Sequence, residues 1–312
     1  VAGNLYAHTQ TYFEEGGSRL YIQRAIADDA AAGTRTIADT NGSTVATFTA
    51  ADAGAWAANL KVQVKSGDVS GVRIEVTLDG EVVMLTGDLS TLDEVVNTVN
   101  ASTDVKHLMT VAKESGASNM PVTTSALAMT GGADGTMVTD GGATDNYVEA
   151  LAKINKDLGP GAIAIPGINT AVAYWHDVID HAKSNNRIAI CSFPSTNTAA
   201  QAKSGINSAS PAVYTDADAM FAAFYYPWVK IADRDTAVPV WVPPSVVLPG
   251  VISYTDRVSH EWFAPAGLNR GGLTTVLEAK TRLTHAERDE LYEGRVNPIA
   301  SFPGQGVVVF GQ

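Results

Sequence analysis

The strongest constraint on the fold is a pair of short apolar runs in the second half of the chain. Residues 162–166 and 187–193 are mostly apolar, and residues 147–158 and 171–184, which precede them, have the composition and spacing of helices. Strands that are apolar along their whole length are covered on both faces, which is typical of sheets flanked by helices. The second half therefore predicts an α/β core.

Further segments add elements to this core. Residues 5–15 predict an amphipathic helix that ends at Gly16, and residues 19–26 predict a strand because Leu20 and Ile22 alternate with Tyr21 and Gln23. A single helix and a single strand cannot bury their own apolar side chains, so we expect both to pack on the part of the chain after residue 142. Other predicted elements are a strand at 221–231, a helix at 243–257 and a helical stretch within 272–294.

The composition changes between residues 35 and 141, where Thr, Val, Gly and Asp are frequent. Asp79 and Gly80 predict a type I′ hairpin turn, and Thr91 with Glu94 predicts a capping box for a helix at 91–100. Glycines at 131–142 indicate a linker. The predicted strands are 60–64, 72–78 and 81–85.

These patterns predict a discontinuous protein. Residues 1–34 and 142–312 form an α/β (α+β) core domain with a mixed sheet and helices. A β-rich domain, residues 35–141, is inserted into it.

Composition and charge exclude several classes of partner. The chain has 312 residues, of which 45% are hydrophobic and 17% charged, so it is long enough and apolar enough to bury a large core. A net charge of −12 is unfavourable for nucleic-acid binding. No apolar run reaches the roughly 20 residues of a membrane helix, so we expect no membrane insertion. The chain has neither a signal peptide nor an initiator Met, and we expect both ends to have been cut or left out.

A search for catalytic and metal motifs yields no specific match. Phosphate-binding loops and nucleophile elbows are absent, and Cys191 lies in an apolar run that predicts a buried thiol. The sequence therefore predicts no enzyme, catalytic residue, metal or cofactor. The residues considered and interpreted as solvated surface are the helix pairs His176 with Asp180 and Asp177 with His181, and the acidic pairs Glu14 with Glu15 and Asp28 with Asp29.

Aromatic residues leave one alternative open. His260, Glu261 and Trp262 are consistent with a binding site, and equally with a loop that buries Trp262. A second aromatic group can stack on a sugar or a base, although aromatic-rich strands are more often core or interface. This group consists of Tyr225, Tyr226, Trp228 and Trp241.

An ordered series of phrases resembles the phage tail sheath family across most of the chain. Ala53 and Ala57 replace a Pro and a Gly of the family pattern, and Arg295 replaces another Gly. The matching phrases are residues 12–24, 53–60, 163–167, 225–231, 242–245, 249–251, 255–256, 262–267, 283–291 and 296–299.

This resemblance implies a structural subunit of a contractile tail in the virion, assembled in the bacterial host cytoplasm. Subunits of the family stack as six-fold rings around a tail tube, and terminal arms add strands to neighbouring sheets. The implied partners are further copies of the subunit, the tube protein, and the baseplate and tail terminator proteins. Contraction drives the tube through the host envelope without nucleotide hydrolysis.

The resemblance also suggests two sets of site residues. Lysine and arginine side chains of the stretch 272–294, and of the residue that follows it, would face the tube. Two other chain segments would lie in or near the inter-subunit sheet. The first set is Lys280, Arg282, Arg288 and Arg295, and the second is Arg19, Tyr21, Gln23, Val307, Val308, Val309 and Phe310.

Three alternatives remain at this point. One is the sheath of a bacteriocin-like or other contractile injection particle. Another is an α/β enzyme with an atypical site near His260. The third is a carbohydrate-binding surface module, for which exposed Trp residues in a shallow groove would be the sign.

Overall fold

The computed structural model describes residues 5–139, 145–168, 172–207, 219–233 and 236–311. It divides into two compact units. The discontinuous unit consists of Val1–Arg24 and Thr139–Gln312, and the inserted unit consists of Ala25–Val138.

The inserted unit begins at Ala25 and not at residue 35, and it ends at Val138 and not at residue 141. The two ends of this unit pair with each other, and the pairing begins before residue 35. Ala31 and Ala133 exchange two backbone hydrogen bonds of 2.9 Å, so residues before 35 and part of the expected linker belong to the inserted unit. Residues 140–144 of that linker lie outside the described residues.

The helices of the described residues are short. None of them combines the length and the apolar composition needed to cross a bilayer. They are α1 (Leu5–Glu14), α2 (Leu92–Ala101), α3 (Asn146–Ala152), α4 (Val172–Ser184), α5 (Ala199–Asn207), α6 (Pro244–Val258) and α7 (His285–Glu293).

The strands form four sheets. Those of the inserted unit are β1 (Ala32–Ala38), β2 (Thr44–Ala53), β3 (Leu60–Ser66), β4 (Val72–Leu78), β5 (Glu81–Leu85), β6 (Met109–Lys113) and β7 (Leu127–Ala128). Those of the discontinuous unit are β8 (Ala162–Ile163), β9 (Ile188–Ser192), β10 (Ala222–Tyr226), β11 (Val229–Ala232), β12 (Pro239–Val242), β13 (Val276–Ala279), β14 (Asn297–Phe302) and β15 (Gly306–Val309).

A five-stranded sheet in the order β15-β14-β10-β9-β8 organises the discontinuous unit. Neighbouring strands from β8 to β14 pair in parallel, and β15 returns antiparallel to β14. The mixed sheet and the helices confirm the predicted α/β class.

Both faces of this sheet are buried, as the apolar runs predicted. Cys191 and Phe224 point into one apolar cluster, which the helices α4, α5 and α7 complete. Ile190 and Tyr225, their neighbours in sequence, point into a second cluster beside α6. Successive side chains of a strand alternate between faces, so each strand contributes to both clusters. The prediction of a buried Cys191 is confirmed.

Aromatic side chains fill the first cluster. Trp175 makes edge-to-face contacts with Phe193 and Phe224, with ring centroids 5.5 and 4.9 Å apart. The Trp228 indole donates to the carbonyl of Phe193 over 2.7 Å. Tyr226 and Trp228 are buried, and so is Tyr225 in the second cluster, which confirms the interpretation of these three aromatics as core. Trp241, the fourth residue of the group, is half-buried, and Lys230 and Lys280 lie over its ring.

Two predicted elements of the second half are corrected. The strand expected at 221–231 is broken at Pro227 into β10 and β11, which lie in different sheets, since β11 belongs to the order β12-β11-β13. The helical stretch within 272–294 is helical only in α7, and β13 occupies its first half.

The inserted unit forms two antiparallel sheets, β1-β2-β6 and β5-β4-β3-β7, around its own core. Asp79 and Gly80 have φ of 52° and 92°, which is the predicted type I′ turn. The capping box of α2 is present, because the Thr91 side chain accepts from the Glu94 backbone and the Glu94 carboxylate accepts from the Thr91 backbone.

The N-terminal helix is held by a buried carboxylate, Glu15, which the sequence predicted to be surface charge. Glu15 is 6% exposed, and its oxygens accept from the backbone N–H and hydroxyl groups of both Thr274 and Thr275. The chains approach closely here: a Cβ on Gly250 of α6 would lie 2.7 Å from the Glu15 Cβ.

The strand predicted at 19–26 is wrong. Residues 17–27 have no regular secondary structure, and the backbone is held by the Tyr12 hydroxyl, which donates to the Arg19 carbonyl over 2.7 Å. The apolar alternation is present, but Leu20, Tyr21 and Ile22 are 36–54% exposed and no strand of the described residues pairs with them.

We predict that Glu15→Ala lowers the free energy of unfolding by about 1–3 kcal/mol, because it removes a buried charged acceptor that takes hydrogen bonds from the exposed Thr274 and the half-buried Thr275. Urea denaturation followed by tryptophan fluorescence measures this difference. The matched control is Glu14→Ala at the exposed neighbouring position, for which we expect a change below about 0.5 kcal/mol. Equal effects of the two substitutions would contradict the role assigned to Glu15.

Candidate assembly surfaces

One edge of the central sheet, β15, is closed by its own chain. Leu273 N–H donates to the Val307 carbonyl over 3.0 Å, Val309 N–H donates to the Gly271 carbonyl over 2.7 Å, and Gly267 N–H donates to the Val309 carbonyl over 2.8 Å. Val307, Val308 and Val309 are therefore buried strand residues whose outer hydrogen-bonding groups are largely occupied. Phe310 follows the strand and is 44% exposed.

The opposite edge, β8, lies beside a groove. Extended residues 18–21 form one wall of this groove, and Leu158, Ile163 and Ile252 contribute its apolar lining. Its volume is about 480 Å³. We call it the Arg19 groove. Arg19 and Tyr21, two of the predicted sheet residues, line it, whereas Gln23 is exposed outside it.

Arg187 is a buried cation in the wall of the Arg19 groove. Its guanidinium donates to the carbonyls of Gly159 (3.1 Å) and Asn155 (2.7 Å), and it lies 2.8 Å from Nε2 of His181. Among the described residues, no carboxylate forms an ion pair with Arg187. Burial, followed by the charge of Arg187, holds the pKa of His181 below its ordinary value of 6.5.

The four cations predicted to face the tube have different surroundings. Lys280, Arg282 and Arg295 are exposed. Lys280 also lies 5.9 Å from the ring centroid of Trp241. Arg288 on α7 differs, because its guanidinium is stacked 5.0 Å and 5.4 Å from the rings of Phe302 and Phe310.

A loop after α6, residues 259–270, carries an exposed aromatic group that we call the Trp262 loop. Trp262 is 78% exposed, so the expectation of a loop that buries it is wrong. Its ring is stacked on His260 at 4.3 Å and 12°, and Arg270 covers Phe263 at 4.3 Å. The other interpretation of His260, Glu261 and Trp262, a binding site, stays a prediction.

The histidine and carboxylate pairs of α4 are less exposed than a solvated surface: Asp180 is exposed, whereas His176, Asp177 and His181 are half-buried. Among the described residues, no group of three or more His, Cys, Asp or Glu side chains is placed to hold a metal ion. His181 contacts Arg187 instead. The pKa of Asp177 is raised, mainly by burial and next by the charge of Asp180, which places these carboxylates close together.

Comparison with known families gives a match over more than half of the chain. Residues 140–312 match the family model described as the phage tail sheath protein central domain. The matched part includes α3 to α7 and all strands of the discontinuous unit.

Curated relatives match a shorter part. The tail sheath protein of Vibrio phage KVP40 is 40% identical over 88 residues, which are 28% of this chain and 12% of that protein. The tail sheath protein of Enterobacteria phage T4 is 37% identical over 79 residues, which are 25% of this chain and 12% of that protein. The matched segments thus span a small part of these relatives.

A solved structure shows the same fold over nearly the whole chain. The crystal structure of a sheath tail protein from Desulfitobacterium hafniense superposes with a TM-score of 0.61 and 14% identity, covering 97% of this chain and 60% of that one.

We predict that acidification destabilises the protein partly through His181. Its pKa is lowered in the folded state, so the unfolded chain binds the proton more tightly and stability falls as the pH drops below 6.5. His181→Gln, which keeps an acceptor for Arg187, should lose less stability than the wild type between about pH 7.5 and 5.5. Urea midpoints at the two pH values measure this loss, with His107→Gln on the exposed surface of the inserted unit as the control. Equal losses in the wild type and His181→Gln would contradict the assignment.

Proposed function

The chain belongs to the phage tail sheath family, and on this premise we propose that it is a structural subunit that assembles around a tail tube. The family match over residues 140–312 carries this proposal. The fold shared with the Desulfitobacterium hafniense protein is consistent with it. A structural role, and no enzymatic one, also agrees with the lack of a recognisable catalytic motif in the sequence.

The proposed assembly is a stack of six-fold rings that contracts and drives the tube through the host envelope. A subunit that works in this way exchanges one set of surface contacts for another while its own core stays folded. The central sheet supports this requirement, since both of its faces are buried within the subunit and do not depend on neighbours. The energy of contraction then comes from the difference between two lattices, and no nucleotide is consumed.

The place of action is the tail of the virion, after assembly in the host cytoplasm. Besides further copies of the subunit, the proposed partners are the tube protein and the baseplate and tail terminator proteins. The inserted unit, with its separate core, is proposed to be dispensable for the basic lattice.

For the tube contact we propose the exposed cations Lys280, Arg282 and Arg295. Arg288 belongs to the same proposal, but its guanidinium already lies over the rings of Phe302 and Phe310, which contact each other. We therefore expect Arg288 to support the end of β15, and the three exposed residues to contribute most of the charge.

The assembly proposal predicts that the intact protein, purified alone at high concentration, forms hollow tubes or stacked six-fold rings. Negative-stain electron microscopy is the measurement. Particles should appear with increasing concentration, because association of identical subunits follows mass action. A protein that stays monomeric at all concentrations would contradict the proposal.

The tube proposal predicts that Arg282→Glu combined with Arg295→Glu weakens binding to tube protein about tenfold or more, since two attractive contacts become repulsive. Co-sedimentation with preassembled tubes measures the binding. The control is Lys106→Glu, one charge reversal from positive to negative at an exposed position of the inserted unit, which should leave binding unaltered. Undiminished binding of the double variant would place the tube contact on another surface.

A further inference from the structure

The Trp262 loop is exposed but held in a defined conformation. Phe263 N–H donates to the His260 carbonyl over 2.9 Å, and Gly267 N–H anchors the loop to the Val309 carbonyl of β15. His260 stacks on Trp262, so the indole is fixed before any partner arrives. Trp is one of the side chains enriched among the residues that carry most of the energy of a binding interface, and preorganisation lowers the entropy lost on binding.

The carboxylate next to this indole has no ion-pair partner in the described part of the chain. Glu261 is exposed, and no cation of the described residues forms an ion pair with it. Burial, and next the charge of Glu261, raise the pKa of Asp256. The loop therefore presents an exposed aromatic ring beside a carboxylate that is exposed and carries no ion pair with any described residue.

The Arg19 groove offers the complementary chemistry. Leu158, Ile163 and Ile252 provide an apolar lining, and the groove is large enough, at about 480 Å³, to receive an indole ring. Arg19 is exposed at its wall and has no ion-pair partner among the described residues. Arg187 adds a second positive charge to the wall, and the Asp256 carboxylate adds a negative one, so the cations exceed the carboxylates by one among the lining side chains.

We propose that the Trp262 loop of one copy docks in the Arg19 groove of a second copy, with Trp262 against the apolar lining and Glu261 paired with Arg19. This inference rests on the proposed function, because it assumes that subunits associate with one another. It names the surfaces that meet.

A second copy is the occupant that fits these observations. The exposed ring and the partly apolar groove lie on the same chain. So do Glu261 and Arg19, neither of which has an ion-pair partner among the described residues. A contact between two different surfaces of identical subunits can be repeated from copy to copy, which ring and helical assemblies require. Trp262 would contribute most of the affinity and the Glu261–Arg19 pair most of the orientation.

The test compares association of the intact protein and its variants by sedimentation velocity over a range of concentrations. Trp262→Ala should weaken association about tenfold or more, as truncation of a central Trp does at other interfaces. Val69→Ala, at a position 94% exposed in the inserted unit, should leave association unchanged. Circular dichroism verifies that each variant is folded.

Charge reversal gives an independent readout of the pairing. Glu261→Arg and Arg19→Glu should each weaken association, because each places like charges together, and the double variant should recover most of it. If the wild type associates but Trp262→Ala associates equally well, the docking proposal is wrong and the sheath function stands. If the double reversal fails to recover, Glu261 and Arg19 do not pair. If the wild type stays monomeric, both the docking and the assembly proposals are wrong.

Discussion

The burial of the central sheet on both faces is the constraint on which the rest of the discontinuous unit depends. A strand with apolar side chains on both faces must be covered on both faces. Ile190 therefore packs toward α6 on one face of the sheet, and Cys191 packs toward α4, α5 and α7 on the other. The parallel order of β8, β9, β10 and β14 follows, since helices must return the chain between these strands. The subunit is thereby complete in its core, and its surfaces are left for other contacts.

The N-terminal helix is attached to this core by a polar interaction in addition to apolar packing. Glu15 accepts four hydrogen bonds from Thr274 and Thr275, far away in sequence, and small residues let the chains approach. A buried carboxylate is tolerated only where its oxygens are fully paired. The cost of an unpaired charge makes this attachment specific, because a shifted helix would leave the carboxylate without its donors.

The contrast between Glu15 and Thr91 explains how far the sequence predicts the structure. Thr91 and Glu94 are three residues apart, and the turn at Asp79 and Gly80 is local, so both could be recognised from spacing alone. Glu15 has partners about 260 residues away, and no local pattern indicates them. Residues 19–26 show the converse error: the alternation is present, but a strand also needs a partner, and the described chain offers none. The family could be recognised because its sequence motifs occur in a fixed order along the chain. The proposed assembly surfaces could not be located in this way, because they depend on which side chains the fold leaves exposed.

In the proposed assembly, the exposed side chains also decide how a subunit holds a lattice and then changes it. Burying a Trp side chain stabilises a contact by roughly 2–4 kcal/mol before the loss of motion is counted, so one docked Trp262 gives a weak contact between two isolated copies. In a lattice every copy makes several contacts at once, and the second and later ones form at a high effective concentration. A lattice built from such contacts is stable as a whole, yet each contact is weak enough to be exchanged. A contact with the strength of the buried core could not be released without unfolding the subunit, so a sheath subunit has to keep its strong interactions inside and its weak ones on the surface.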